Sequence, residues 1–88
     1  MAVGDDIRNF VVESFYASDD LGNDASLLDT GTMDSTGVLE LIAFIEQRYG
    51  IAVGDREIVA ENFDTVRRVT AYVNRKLSER VEPRASAD

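Results

Sequence analysis

The chain is expected to be all-α: three main helices and a short third one in sequence order, with a long first loop. Three observations predict this. Apolar residues recur at helical spacing in three separate segments. Cap-forming and helix-stopping residues bound those segments. The single proline, Pro83, falls in an aperiodic stretch after the last of them. At 88 residues the chain makes one small domain with one modest core.

The first helix is expected over roughly residues 4–17. Ile7, Phe10, Val11, Ser14 and Phe15 share one face, and Asp5, Asp6, Arg8, Asn9 and Glu13 lie opposite. Asp5 and Asp6 stand in the first turn, where the helix dipole favours anions. Residues 18–34 form a long connection rich in turn formers. Leu27, Leu28 and Met33 are its candidate anchors to the core. Unstructured loops of this length are often functional. The acids here do not make a calcium loop. Counting from Asp20, such a loop needs Asp or Asn third, Gly sixth and Glu twelfth, and the chain has Gly22, Ala25 and Gly31.

The second helix spans Ser35 to Tyr49, with Val38, Leu41, Ile42, Ile45 and Tyr49 as its apolar stripe. Asp34 or Ser35 can cap it, and Gly50 suits the left-handed position past its end. Ile51 and Val53 return the chain to the core. Asp55 is expected to cap a short helical segment within residues 56–62, and Phe63 to anchor it. A last helix begins at Asp64 or Thr65 and runs to about Leu77, with Val66, Val69, Tyr72, Val73 and Leu77 inward. The domain therefore covers residues 1–79, and residues 80–88 read as a flexible tail.

Composition narrows the chemistry. The chain has no His and no Cys, so it has neither a disulfide framework nor the two commonest metal and acid–base side chains. No metal site is expected. No basic region followed by an apolar run opens the sequence, and no stretch is apolar enough to span a membrane. A cytoplasmic protein without membrane insertion is the expectation. The net charge of −8 is unevenly placed: residues 1–47 hold ten acids and one base, Arg8. Such a surface repels nucleic acid and attracts proteins with basic patches.

One residue stands out. Ser35 follows Asp34 after a glycine-containing approach, and an apolar helical pattern begins at once. A primary hydroxyl is thus displayed at a helix mouth with no imidazole to activate it. That suits a substrate of another enzyme better than a nucleophile. An ordinary N-cap serine is the plain alternative, although no capping box supports it: Val38 and Gly37 stand where Glu or Gln would.

The wider pattern goes further. Asp24 to Ser35, Leu39-Glu40-Leu41, Ile45-Glu46, Tyr49-Gly50-Ile51 with Val53, and Glu61 to Val66 follow in an order that resembles the acyl and peptidyl carrier proteins. The resemblance covers about residues 4–78. It implies a four-helix carrier bundle that is not an enzyme. It further implies that 4'-phosphopantetheine from coenzyme A is attached covalently to Ser35, with Asp34 as part of the motif. An acyl group would ride on the arm as a thioester. The partners implied are a phosphopantetheinyl transferase, an acyl- or aminoacyl-loading ligase and downstream acyl-using enzymes, with the carrier itself a monomer. An aminoacyl or peptidyl carrier of a specialised pathway is the nearest alternative, and an unmodified acidic helical adaptor the more distant one. Thr36 and Gly37 depart from the residues usual in the family, and both fall where its partners dock.

On the wheel, Thr36, Glu40, Ala43 and Gln47 lie opposite the core stripe, with Leu39 and Phe44 on its flanks. Thr36, Leu39, Glu40, Ala43, Glu46 and Gln47 are the candidate partner-binding residues. Glu40 and Glu46 read equally as a solvated face, and Phe44 equally as core. Glu57, outside this helix, is the neutral comparison position for tests of the docking face.

Overall fold

The computed structural model describes residues 2–17 and 20–81, with the side chains of residues 80 and 81 left aside. Four α-helices follow in order: α1 Val3–Phe15, α2 Ser35–Tyr49, α3 Ala60–Phe63 and α4 Val66–Val81. A single 3₁₀ turn, Asp55–Glu57, precedes α3. Among the described residues there is no strand, and no helix is long and apolar enough to cross a membrane. The helix α4 is the spine. Both α1 and α3 pack along it, and α2 leans on α1 and α4.

The core follows from the stripes. Ile7 and Val11 of α1 meet Leu41, Ile42 and Ile45 of α2 and Val66, Val69, Tyr72 and Val73 of α4. Burying such side chains contributes roughly 1.5–3 kcal/mol each before chain entropy is subtracted. Leu27 and Met33 are buried from the long loop, as expected, whereas Leu28 is 41 % exposed. Ser14, expected inward, is exposed. It sits at the open edge of α1, where a hydroxyl stays hydrated at no cost.

The boundaries carry their own chemistry. Helix α1 stops two residues early because Tyr16 turns left-handed (φ 57°) and donates its N–H to Val12 O. Gly50 ends α2 in the same way at φ 66°. Thr65 Oγ1 accepts the Arg68 N–H at 3.0 Å and opens α4. The expected helical segment within 56–62 is instead split. Ile58 adopts φ −84° and ψ 76°, and Val59 donates to Glu57 O at 2.9 Å, an inverse γ-turn between the 3₁₀ turn and α3. Two adjacent β-branched side chains favour that extended break. Gly54, not Asp55, precedes the turn. Helix α4 also runs on to Val81, past Leu77 and into the first residues of the expected tail. Residues 82–88 lie outside the described residues.

Candidate functional site

Helix α2 begins with a division of labour. Asp34 is the cap: it is extended (φ −113°, ψ −170°), and its Oδ1 accepts the Gly37 N–H at 2.8 Å. Ser35 is therefore the first helical residue. Its side chain is exposed, and its hydroxyl has no hydrogen-bond partner among the described residues. Capping by Asp34 leaves the Ser35 and Thr36 amides at the helix mouth without acceptors among those residues. Anions are favoured at such a mouth.

Beside Ser35 lies an apolar groove of about 340 Å³. Val38 and Leu39 of α2 form one wall, Leu28 one end, and Ile58, Val59 and Phe63 the far wall. Among the described residues no titratable side chain lines it. Hydrogen bonds from outside the groove hold its walls. The Asp64 carboxylate accepts from Ser26 Oγ at 2.8 and 2.9 Å and from Leu28 N at 3.1 Å. Leu27 N donates to Asp64 O at 2.7 Å, so the loop is pinned to the end of α3. On the far side, Glu57 Oε1 accepts from Gly54 N at 3.0 Å and from Tyr72 Oη–H at 2.7 Å. Lys76 Nζ reaches the same carboxylate at 3.2 Å. These donors, led by the Gly54 N–H, hold the Glu57 carboxyl down at about 2 from its usual 4.5. Burial, and then the neighbouring carboxylate, push the Tyr72 phenol well above its usual value.

Gly37 has a structural reason. A Cβ there would stand 2.7 Å from Met33 Cγ and 3.1 Å from Phe15 Cε1. Gly37, expected from the resemblance to fall where partners dock, is buried under the helix mouth and serves there as a packing position. Its lack of a side chain lets the loop and α1 close beneath Ser35.

The expected docking residues fall on two faces of α2. Leu39, 60 % exposed, belongs to the Ser35 groove. Glu40, Ala43, Glu46 and Gln47 line a shallow furrow against Phe10 and Ser14 of α1. Thr36 is exposed and lines neither. Glu46 is half-buried, and its Oε2 accepts the Val53 N–H at 3.0 Å, which fixes the chain leaving α2. Phe44 is half-buried and stacks on Phe10 with ring centroids 4.3 Å apart. Near the furrow's end Asp6 accepts from Arg48 at 3.1 Å and Tyr49 at 3.0 Å, and the Arg48 bond above all lowers its carboxyl. Sequence reasoning missed Leu28, Ile58, Val59 and the carboxylates behind them. None of these lies on a periodic stripe. Glu57 is also unfit as a neutral comparison position, since it holds a wall of the groove.

The bundle thus displays a serine at a helix mouth, over a groove whose described lining is apolar. The family described as phosphopantetheine attachment site matches residues 5–73, and the chain belongs to it. It is 38 % identical over 55 residues to a D-alanyl carrier protein of Abiotrophia defectiva, covering 62 % of this chain and 70 % of that one. An acyl carrier protein of Buchnera aphidicola subsp. Schizaphis graminum is 39 % identical over 54 residues, covering 61 % and 66 %. Among solved structures, one described as KstB-PCP(apo) superposes with a TM-score of 0.67 at 38 % identity, covering 83 % of this chain and 84 % of that one. The chain is accordingly a carrier protein with a site for covalent phosphopantetheine. Such domains work with a phosphopantetheinyl transferase and with acyl-handling enzymes.

Proposed function

We propose that Ser35 is the attachment residue and that the cargo is an acyl group delivered to partner enzymes as a thioester. The observation that carries this reading is the free Ser35 hydroxyl at the first position of α2, directly beside the apolar groove. The surroundings fit a phosphodiester. The hydroxyl is accessible, the Ser35 and Thr36 amides have no acceptor among the described residues, and Asp34 is turned to the Gly37 amide. When attached, the arm supplies a terminal thiol.

The residues of the chain do the rest. Ser35 Oγ forms a new bond to the phosphorus of coenzyme A that bears the pantetheine. The bond from that phosphorus to the adenosine bisphosphate breaks, and the bisphosphate leaves. The hydroxyl proton goes to a base of the transferase: among the described residues none that titrates lines the groove, and the neighbouring Asp34 is bonded to the Gly37 amide. Asp34 keeps the helix mouth rigid. Val38, Leu39 and Ile58 offer apolar cover to the cargo, which slows attack by water.

Incubation with coenzyme A and a phosphopantetheinyl transferase is expected to add one phosphopantetheine by intact mass, and Ser35→Ala to abolish it. Modification at Ser26 or Ser14, or no modification at all, would overturn the assignment. The aminoacyl reading draws on the D-alanyl carrier relatives. A ligase screen with fatty acids and amino acids separates it from the acyl one.

A further inference from the structure

The far wall of the Ser35 groove runs from Ile58 to Phe63, and its two ends are held differently. Phe63 is in the core, its ring 5.0 Å from that of Tyr72. At the other end Val59 is 43 % exposed and Ile58 only half-buried. Apolar burial alone holds this end weakly. Its anchor is Glu57. The side chain reaches α4 through Tyr72 Oη at 2.7 Å and Lys76 Nζ at 3.2 and 3.3 Å, and it reaches back to Gly54 N at 3.0 Å. The carbonyl of the same residue accepts from Val59 N at 2.9 Å and Asn62 Nδ2 at 2.8 Å. One residue thus joins α4 to the wall at Val59 and at Asn62, without lining the groove itself.

We propose that Glu57 is a positioning residue for the groove: its clasp on Tyr72 and Lys76 sets where Ile58 and Val59 stand. It thereby sets how well the groove covers an aliphatic acyl chain hung from Ser35. The proposal rests on Ser35 being the attachment residue. It also names the cargo class. The lining is apolar and among the described residues holds no carboxylate to receive an ammonium group, so an aliphatic chain is covered and a charged aminoacyl group is not. Glu57 acts through backbone placement and touches no cargo.

The test uses the full chain, loaded at Ser35 from hexanoyl-coenzyme A or from acetyl-coenzyme A by a phosphopantetheinyl transferase. Thioester cleavage by hydroxylamine is followed by intact mass. In the wild type the hexanoyl thioester is expected to be cleaved severalfold more slowly than the acetyl one. Glu57→Ala should erase most of that difference. Glu57→Gln, which keeps an acceptor for Gly54 and Tyr72, should keep most of it. Arg67→Ala is the comparison for simple destabilisation: Arg67 ties α4 to Asp24 at 2.6 Å and lies outside the groove. It should retain the full difference.

A second readout needs no cargo. In the unmodified protein, Glu57→Ala should raise amide exchange at Asn62 and Phe63, whose N–H groups bond to Val59 O, at least tenfold. Exchange at Ile45 and Val69 should stay unchanged. If Glu57→Ala does not fold, Tyr72→Phe removes a single oxygen of the clasp and is expected to give a partial loss on both readouts. The proposal is overturned if Glu57→Ala, or Tyr72→Phe in its place, leaves the hexanoyl difference intact. It is overturned as well if Arg67→Ala loses as much, or if the wild type shows no difference. Failure of the wild type to be modified at Ser35 appears before any cleavage is measured. It strikes the attachment reading itself and takes this proposal with it.

Discussion

Helix α2 presents two accessible sides that look alike on a helical wheel and differ in three dimensions. Toward α3 lies the Ser35 groove, apolar and walled by segments that Glu57 and Asp64 hold from behind. Toward α1 lies the open furrow, floored by the Phe10–Phe44 stack and edged by Glu40 and Gln47. Fixed apolar walls suit a small aliphatic group, and a shallow mixed surface suits a protein. The difference comes from what lies across from α2, not from α2 itself.

Breaking the furrow side should leave the groove side working. Phe44→Ala removes a half-buried ring and its stacking on Phe10, and about 2 kcal/mol of stability should go with it. Urea unfolding measures that loss. Hexanoyl protection at Ser35 should not change, and a parallel loss of protection would mean that the two sides are one unit.

Gly37 packs against Met33 and Phe15 beneath the helix mouth, so its substitution should disturb the seat of α2 itself. The methyl of Gly37→Ala collides with buried Met33. Overpacking costs about 1–3 kcal/mol, and better helix propensity returns up to about 1 kcal/mol. A net loss of about 1 kcal/mol by urea unfolding is expected. A variant as stable as the wild type would show that Met33 gives way freely.

Acid should sharpen the comparison, because each side has its own depressed carboxylate. Glu57 holds its proton less readily when folded than when unfolded, and so does Asp6. Their stabilisation is therefore complete above the ordinary carboxylate range. It drains away as pH falls, for Glu57 between about 4.5 and about 2. Thermal melts across that range should slope less steeply in Glu57→Gln and in Asp6→Asn. The protection factor at Asn62, with intrinsic exchange divided out, should lose its dependence on pH in Glu57→Gln only.

The smallest effect concerns partner encounter. Glu40→Lys should slow transferase modification of Ser35 severalfold at low salt, and the deficit should shrink as salt rises. Glu79→Lys is the right comparison, being an exposed acid on α4 that lines neither side of α2. Equal slowing by both would mean that net charge alone is felt and that the furrow is not the docking face.

Much of this was legible in the chain. The stripe Leu41, Ile42 and Ile45, the stop at Gly50 and the place of Ser35 at a helix mouth depend on residues a few positions apart. Helical periodicity and capping act over that range, so spacing suffices to read them. The break at Ile58 and Val59 was harder, because a γ-turn inside a short apolar run leaves no period to detect.

Other features only the tertiary structure decided. The packing role of Gly37 shows only when Met33 and Phe15 are seen against it. Glu57 reads as a spare surface acid until Tyr72 and Lys76, 15 and 19 residues further on, arrive beside it. The groove exists because Leu28, α2 and the Ile58–Phe63 wall converge from three stretches of chain. Local pattern determines which face of each helix is apolar. Which apolar faces meet, and what space they leave beside Ser35, is set by the packing of all the helices on α4.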